Sequence, residues 1–234
     1  MQRLTATDTE RYYFEQFRKD FCVPDGRVEY SDKPDVRIIG ASKIGVEIAR
    51  LYIVDGTHPS SEQVQYQRRK RVVAEAQALH KTLGGRPIEL HVDFNPGKPI
   101  QDIKHVAEIV AKFAMEIQDK PQITVWHPPT ESDYLRYLQH NGIEYADAKW
   151  TVMQSFSVPV LDVERLQTVV REKANKAADY EHCDEYWLLL VVDFMDLAQD
   201  QTLILPKQFQ LSPSAFTKVL VYKPQFHEVL QVPQ

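Results

Sequence analysis

Long apolar runs, paired cysteines and the usual nucleotide-binding motifs are all missing from this chain of 234 residues. No stretch approaches the roughly 18 consecutive apolar residues of a membrane span. The start, "MQRLTATDTERYYFEQF", has no apolar h-region and no small-residue cleavage site. The expectation is a cytoplasmic protein without a membrane partner. Cys22 and Cys183 lack C-x-x-C spacing, which argues against a disulfide scaffold and a thiolate zinc site. The eight histidines form no H-x-x-x-H or H-x-E pattern. "GASKIG", Gly40 to Gly45, lacks the Gly-Lys-Ser/Thr ending of a phosphate-binding loop; no G-x-G-x-x-G opens a helix and no G-x-S-x-G marks a hydrolase elbow. No repeat period is visible.

What remains is ordinary globular composition, 43% hydrophobic and 26% charged, long enough to bury one sizeable core. A net charge of −5 argues against broad coating of nucleic acid but leaves room for a local basic groove. "RRKR", Arg68 to Arg71, is the densest basic run. "HCDE", His182 to Glu185, reads as a polar loop, because adjacent residues rarely converge on one ion.

Periodicity predicts alternating helices and strands, an α/β class with a mixed sheet. Tyr13, Phe14, Phe17 and Phe21 make the stripe of a first helix, with Thr7 and Glu10 spaced as a capping box. "RVEY", Arg27 to Tyr30, is a short strand, and Val36 to Ile39 and Ile44 to Leu51 form a hairpin. Helices follow over Glu62 to Leu83, ending at "GG", and over Ile100 to Ile117, with a strand over Ile88 to Phe94 between them. Ile123 to Trp126 is a strand, a short helix is expected around Tyr134 and a strand from Trp150 to Phe156. Asp162 caps a helix leading to "YWLLLVVD", Tyr186 to Asp193, the apolar run of a central buried strand, and Thr217 to Tyr222 closes the sheet.

Two acids stand out against this apolar background. Asp35 opens the first strand of the hairpin and Glu47 lies in its return, on the face shared by Ala49 and Leu51. A turn centred near Ser42 would set Asp35 opposite Ala49, with both carboxylates within reach of one ion. Burying two acids is costly unless a cation offsets the lost hydration, and oxygen ligands suit Mg²⁺ or Mn²⁺. The plainer alternative is a turn-capping Asp35 and a Glu47 paired with an arginine.

A helix, then Pro34-Asp35 opening a strand, then a hairpin return carrying Glu47 in "IGVEIA", resembles the PD-(D/E)XK superfamily of restriction-endonuclease-like folds. The resemblance implies a central mixed β-sheet flanked by helices, with further helices and strands beyond that core. It also implies hydrolysis of DNA phosphodiesters at a metal held by Asp35 and Glu47, to which the Ile48 carbonyl can add a ligand. In that superfamily a lysine stands two residues past the second acid and helps position the attacking water. Here Ala49 occupies that place, so either a cation comes from elsewhere or the site has lost its chemistry.

Lys43 sits about 13 Å away at the strand rise and is rejected. Lys173 falls within the arc of Leu166, Val170, Ala174 and Ala177, which turns its amine towards the sheet as the substitute, unless it merely snorkels from the edge of that face. Extending the stripe of Val72, Ala76 and Leu79 backwards reaches Gln65 and Arg69, candidate contacts to nucleic acid. Glu10, in the apolar arc of the first helix, is a candidate third metal ligand beside its capping role. The expectation is one domain over 1–234, with an insertion around 59–160 if the helix and strand from Asp162 to Asp193 complete the core. The competing register uses Glu62 to Phe94 for those two elements. Two alternatives stay open: a catalytically inactive nuclease-fold binding or interaction module, for example in a mobile-element or defence system, and assembly as a homodimer.

Overall fold

The computed structural model describes residues 5–54, 56, 59–120, 124–126, 133–153 and 158–234. Among them the elements run α1 (Ala6–Asp20), β1 (Gly26–Tyr30), β2 (Val36–Gly40), β3 (Lys43–Arg50), α2 (Glu62–Thr82), β4 (Ile88–Phe94), α3 (Ile103–Ile117), β5 (Thr124–Trp126), β6 (Leu135–Glu144), β7 (Trp150–Met153), α4 (Val163–Lys176), β8 (Glu185–Val191), β9 (Lys218–Lys223) and β10 (Glu228–Gln231). The chain forms two compact units: Met1–Ile53 together with Val158–Gln234, and Val54–Ser157, which interrupts the first.

The first unit is built on a six-stranded sheet in the order β1-β2-β3-β8-β9-β10. β1, β2 and β3 form an antiparallel meander, β8 lies parallel to β3, β9 parallel to β8, and β10 turns back antiparallel. The strand beside β3 is therefore β8, reached through α4, while β4 belongs to the other sheet. From Trp187 to Val191, β8 is apolar and buried because both of its faces are covered. Trp187, Leu189 and Val191 pack with Tyr13, Phe14 and Phe17 of α1, whereas Leu188 and Leu190 pack with Leu166, Val169 and Val170 of α4. Each such fully buried side chain contributes roughly 1.5–3 kcal/mol of transfer free energy.

The cap of α1 corrects the sequence expectation. Thr5 is the N-cap: its hydroxyl accepts from the Asp8 N–H at 3.1 Å, and the Asp8 carboxylate accepts from the Thr5 N–H at 3.1 Å. With the helix beginning at Ala6, Asp8 holds the third helical position and completes the box, so Glu10 has no capping role. A strand at Glu228–Gln231 is a further addition, entered through a turn with His227 at a φ of 54°.

The second unit carries a sheet in the order β5-β6-β4-β7. Val72 and Ala76 of α2 and Val106, Val110, Phe113 and Ile117 of α3 share one core with Leu90, Val92 and Leu138 of the sheet. Where a short helix is expected around Tyr134, the chain forms β6, because Leu135 and Leu138 are needed on the sheet and the strand pairs antiparallel with both β4 and β5. α3 starts at Ile103 with Asp102 as its cap, not at Ile100; Ile100 is buried ahead of the helix, and its N–H donates to Gln65 at 2.7 Å. Of the two strands expected over Ile123 to Trp126 and Trp150 to Phe156, residue 123 and residues 154–156 lie outside the described residues.

Candidate functional site

The hairpin register decides how the two acids meet. β2 and β3 pair Val36 with Val46, Ile38 with Ile44 and Ile39 with Lys43, and at the tip the Gly40 N–H donates to Ser42. Continued by one pair, this register sets Asp35 opposite Glu47, not Ala49. The tip is centred one position earlier than the turn chemistry suggests. Directly opposed residues share a face, and the Glu47 carboxylate opposes the ionisation of Asp35.

Local packing fixes both acids. Pro34 lies against Gly45, where an added Cβ would come within 2.7 Å of the proline ring and 2.9 Å of Tyr186. Only glycine admits that contact. Asp35 Oδ2 accepts from the Ile48 N–H at 2.6 Å, tying the start of β2 to β3. Glu47 is buried at 8% exposure on the face that α4 covers. The Lys173 amine donates to Glu47 Oε1 at 2.8 Å, so a cation from α4 stands beside this acid. Lys43 is engaged elsewhere, 2.8 Å from Glu181.

The charges are strongly coupled. Desolvation, reinforced by Glu47, pushes the Asp35 carboxyl up to about 7, against the lowering effects of the Ile48 N–H and Lys173. Glu10 is also raised, by desolvation first and then by Glu47. Three acids and one amine thus share a poorly solvated region, and an unbalanced carboxylate is the donor chemistry that fits a hard divalent cation. Asp35 and Glu47 are the side chains that could hold it. Among the described residues no three His, Cys, Asp or Glu side chains gather into a metal-binding group, and Glu10 interacts electrostatically with Glu47.

Gln65 and Arg69 require a correction. Gln65 is buried and bridges the Pro59 and Ile100 carbonyls while accepting from the Ile100 N–H. Arg69 is buried at 3% exposure in an ion pair with Glu62. Neither presents a donor to a phosphate; both hold the start of α2. The backward extension of an apolar stripe reaches buried polar residues as readily as a binding face.

Sequence reasoning missed Tyr180 and Glu181. Glu181 pairs with Arg37 of β2 and Lys43 of β3, and its N–H donates to the Lys33 carbonyl at 2.9 Å. This clamp brings Tyr180 beside the acids. Their only signal is position, directly between α4 and the start of a strand parallel to β3.

Comparison of the chain with protein-family models, with curated proteins and with solved structures finds no match. No described helix is long and apolar enough to cross a membrane.

Proposed function

We propose that this protein is a metal-dependent nuclease that hydrolyses DNA phosphodiester bonds, with Asp35 and Glu47 as ligands of Mg²⁺ or Mn²⁺ and Lys173 as the auxiliary cation. The observation that carries this reading is the Asp35–Glu47 pair together with an amine 2.8 Å from Glu47, supplied by a helix because β3 has Ala49 where a lysine would stand. The order of elements adds support: α1, the meander β1-β2-β3, then α4 and the parallel strand β8 follow the succession that the restriction-endonuclease-like resemblance implies.

A bound divalent ion would supply Lewis-acid stabilisation of a phosphoryl oxygen and a more acidic water. The chain's own residues do the rest. Asp35, held by the Ile48 N–H, and Glu47, held by Lys173, present oxygens in fixed orientation. The Lys173 amine adds positive charge beside the reacting phosphate, where charge develops in the transition state.

The direct Lys173–Glu47 ion pair also favours a second reading, because it offsets one of the two acids without any metal. In that case the fold serves as an inactive binding module. Incubation with plasmid and single-stranded DNA in Mg²⁺ or Mn²⁺ separates the two. The nuclease reading expects ion-dependent cleavage that disappears in D35A and E47A while circular dichroism stays unchanged. Undiminished cleavage in either variant rejects the assignment. A wild-type protein that binds DNA but neither ion nor cleaves establishes the second reading.

A further inference from the structure

The Tyr180 hydroxyl is buried and meets no partner at full hydrogen-bond geometry among the described residues, although Glu47 stands within its reach. Buried hydroxyls are ordinarily satisfied, and a tyrosine that only filled space could be phenylalanine. Its surroundings are specific. Glu47 stands beside it as a hydrogen-bond acceptor, and Asp35 acts on it electrostatically. The hydroxyl is therefore a donor facing two acidic side chains.

Its position is enforced from two sides. The Tyr180 N–H donates to the Ala177 carbonyl at the end of α4, and its ring packs tilted against Tyr186, with centroids 5.8 Å apart. Tyr186 in turn lies against Gly45, two residues before Glu47, and its hydroxyl donates to the Glu181 carbonyl at 3.0 Å. Glu181 is anchored to Lys33, Arg37 and Lys43 on the hairpin that carries the acids. The tyrosine thus rests on β8, next to β3, and is tied through Glu181 to the hairpin that carries Asp35 and Glu47.

We infer that Tyr180 is a positioning residue for Glu47: its hydroxyl donates to the carboxylate that Lys173 grips from the other side, fixing Glu47 to receive a divalent ion. The inference rests on the proposed metal site and deepens it. The hydroxyl is too enclosed to reach a macromolecular substrate, so its partner is a neighbouring carboxylate. With the amine on Oε1 and the phenol beside the group, Glu47 has little rotational freedom left, and outer-shell donors of this kind typically alter metal affinity about 10–100-fold when removed.

The experiment is calorimetric titration of the full chain with Mn²⁺, comparing wild type, Y180F and D35A, alongside thermal unfolding without metal. Y180F keeps every packing atom except the hydroxyl oxygen. The expected result is Mn²⁺ affinity lowered about tenfold in Y180F, with cooperative thermal unfolding retained and its midpoint somewhat below that of wild type, since one hydrogen bond to a carboxylate has been removed. A space-filling role would leave Mn²⁺ affinity unmoved. Equal affinity in Y180F and wild type, with D35A unable to bind, overturns the role of Tyr180 alone. Failure of wild type to bind Mn²⁺ any better than D35A overturns the metal site and this inference together.

Discussion

Lys173 Nζ lies 2.8 Å from Glu47 Oε1, linking α4 to β3 across 126 positions of sequence. The side chains keep 25% and 10% of their exposure, so the pair is mostly desolvated. Removing one partner of a buried pair leaves the other uncompensated, and that penalty exceeds the net worth of the pair itself.

K173M should therefore destabilise the protein by about 1–3 kcal/mol, less than a fully buried pair because the amine retains some solvent. Moving the amine is the sharper test. Ala49 shares the face of Glu47 two residues on, so K173M/A49K should recover much of the loss in a urea titration. K173M unfolding at the wild-type midpoint would show that the ion pair contributes nothing.

The acids predict an unusual pH dependence. Asp35 titrates near 7 in the folded protein, against about 3.9 in an unfolded chain. Between those values the native state holds more protons than the unfolded one, so stability is present at low pH and is lost as pH rises through about 7. Glu10 shifts in the same direction. Asp8, Asp20 and Glu181 are lowered, and their contributions are lost only as pH falls below the ordinary carboxylate range. Stability should then fall on going from pH 5 to pH 8, by on the order of 2 kcal/mol. D35N, whose amide oxygen can still accept from the Ile48 N–H, should flatten the profile and be the more stable protein at pH 8. Mn²⁺ should raise the unfolding temperature of wild type at pH 8 and leave D35N unchanged. Parallel pH profiles for the two proteins would contradict the assignment.

The elements legible in the sequence are those whose pattern is local. Trp187 to Val191 of β8 is an unbroken apolar run because it is covered on both faces, and α3 shows its stripe because only one side is covered. The hairpin acids are legible as a pair, but the expected turn centre lies one position too late and shifts the partner of Asp35 by two residues, since "GASK" does not declare which residues close the turn. β6 was hidden because "LRYLQHNGIE" mixes buried Leu135 and Leu138 with polar residues and contains Gly142 at a φ of 76°. Gln65 and Arg69 were assigned the wrong role because periodicity gives the direction of a side chain and not what covers it. Tyr180 was illegible for a related reason: its place depends on a clamp between Glu181 and residues more than 130 positions earlier.

Arg69 offers a test of that correction. Its side chain is 4% exposed and Glu62 is its partner seven residues earlier in α2. R69M should lower the stability of the second unit by about 1–3 kcal/mol, because Glu62 retains some solvent when left alone. Retention on a DNA filter should be unchanged. A loss of DNA retention at unchanged stability would return Arg69 to the binding surface.

The end of α2 provides the clearest steric prediction. Gly84, at a φ of 80°, and Gly85 terminate the helix through N–H donors to the Lys81 and His80 carbonyls at 3.1 and 2.9 Å, the paired bonds of a Schellman motif. The two glycines are required for different reasons. Around Gly84 a Cβ would meet nothing within 4 Å, so G84A costs only the left-handed backbone, about 1–2 kcal/mol. At Gly85 a Cβ would fall 2.2 Å from His80 Cε1, inside the plane of a ring that is itself buried at 3% exposure and packed on Trp150. The ring cannot move aside without disturbing that contact, and G85A should cost about 1–3 kcal/mol through overpacking. A double-mutant cycle isolates the cause. In an H80A background the obstacle is gone, so G85A should become close to neutral while G84A keeps its full cost. Additive behaviour of G85A and H80A in urea unfolding would show that the histidine ring is not what excludes a side chain there.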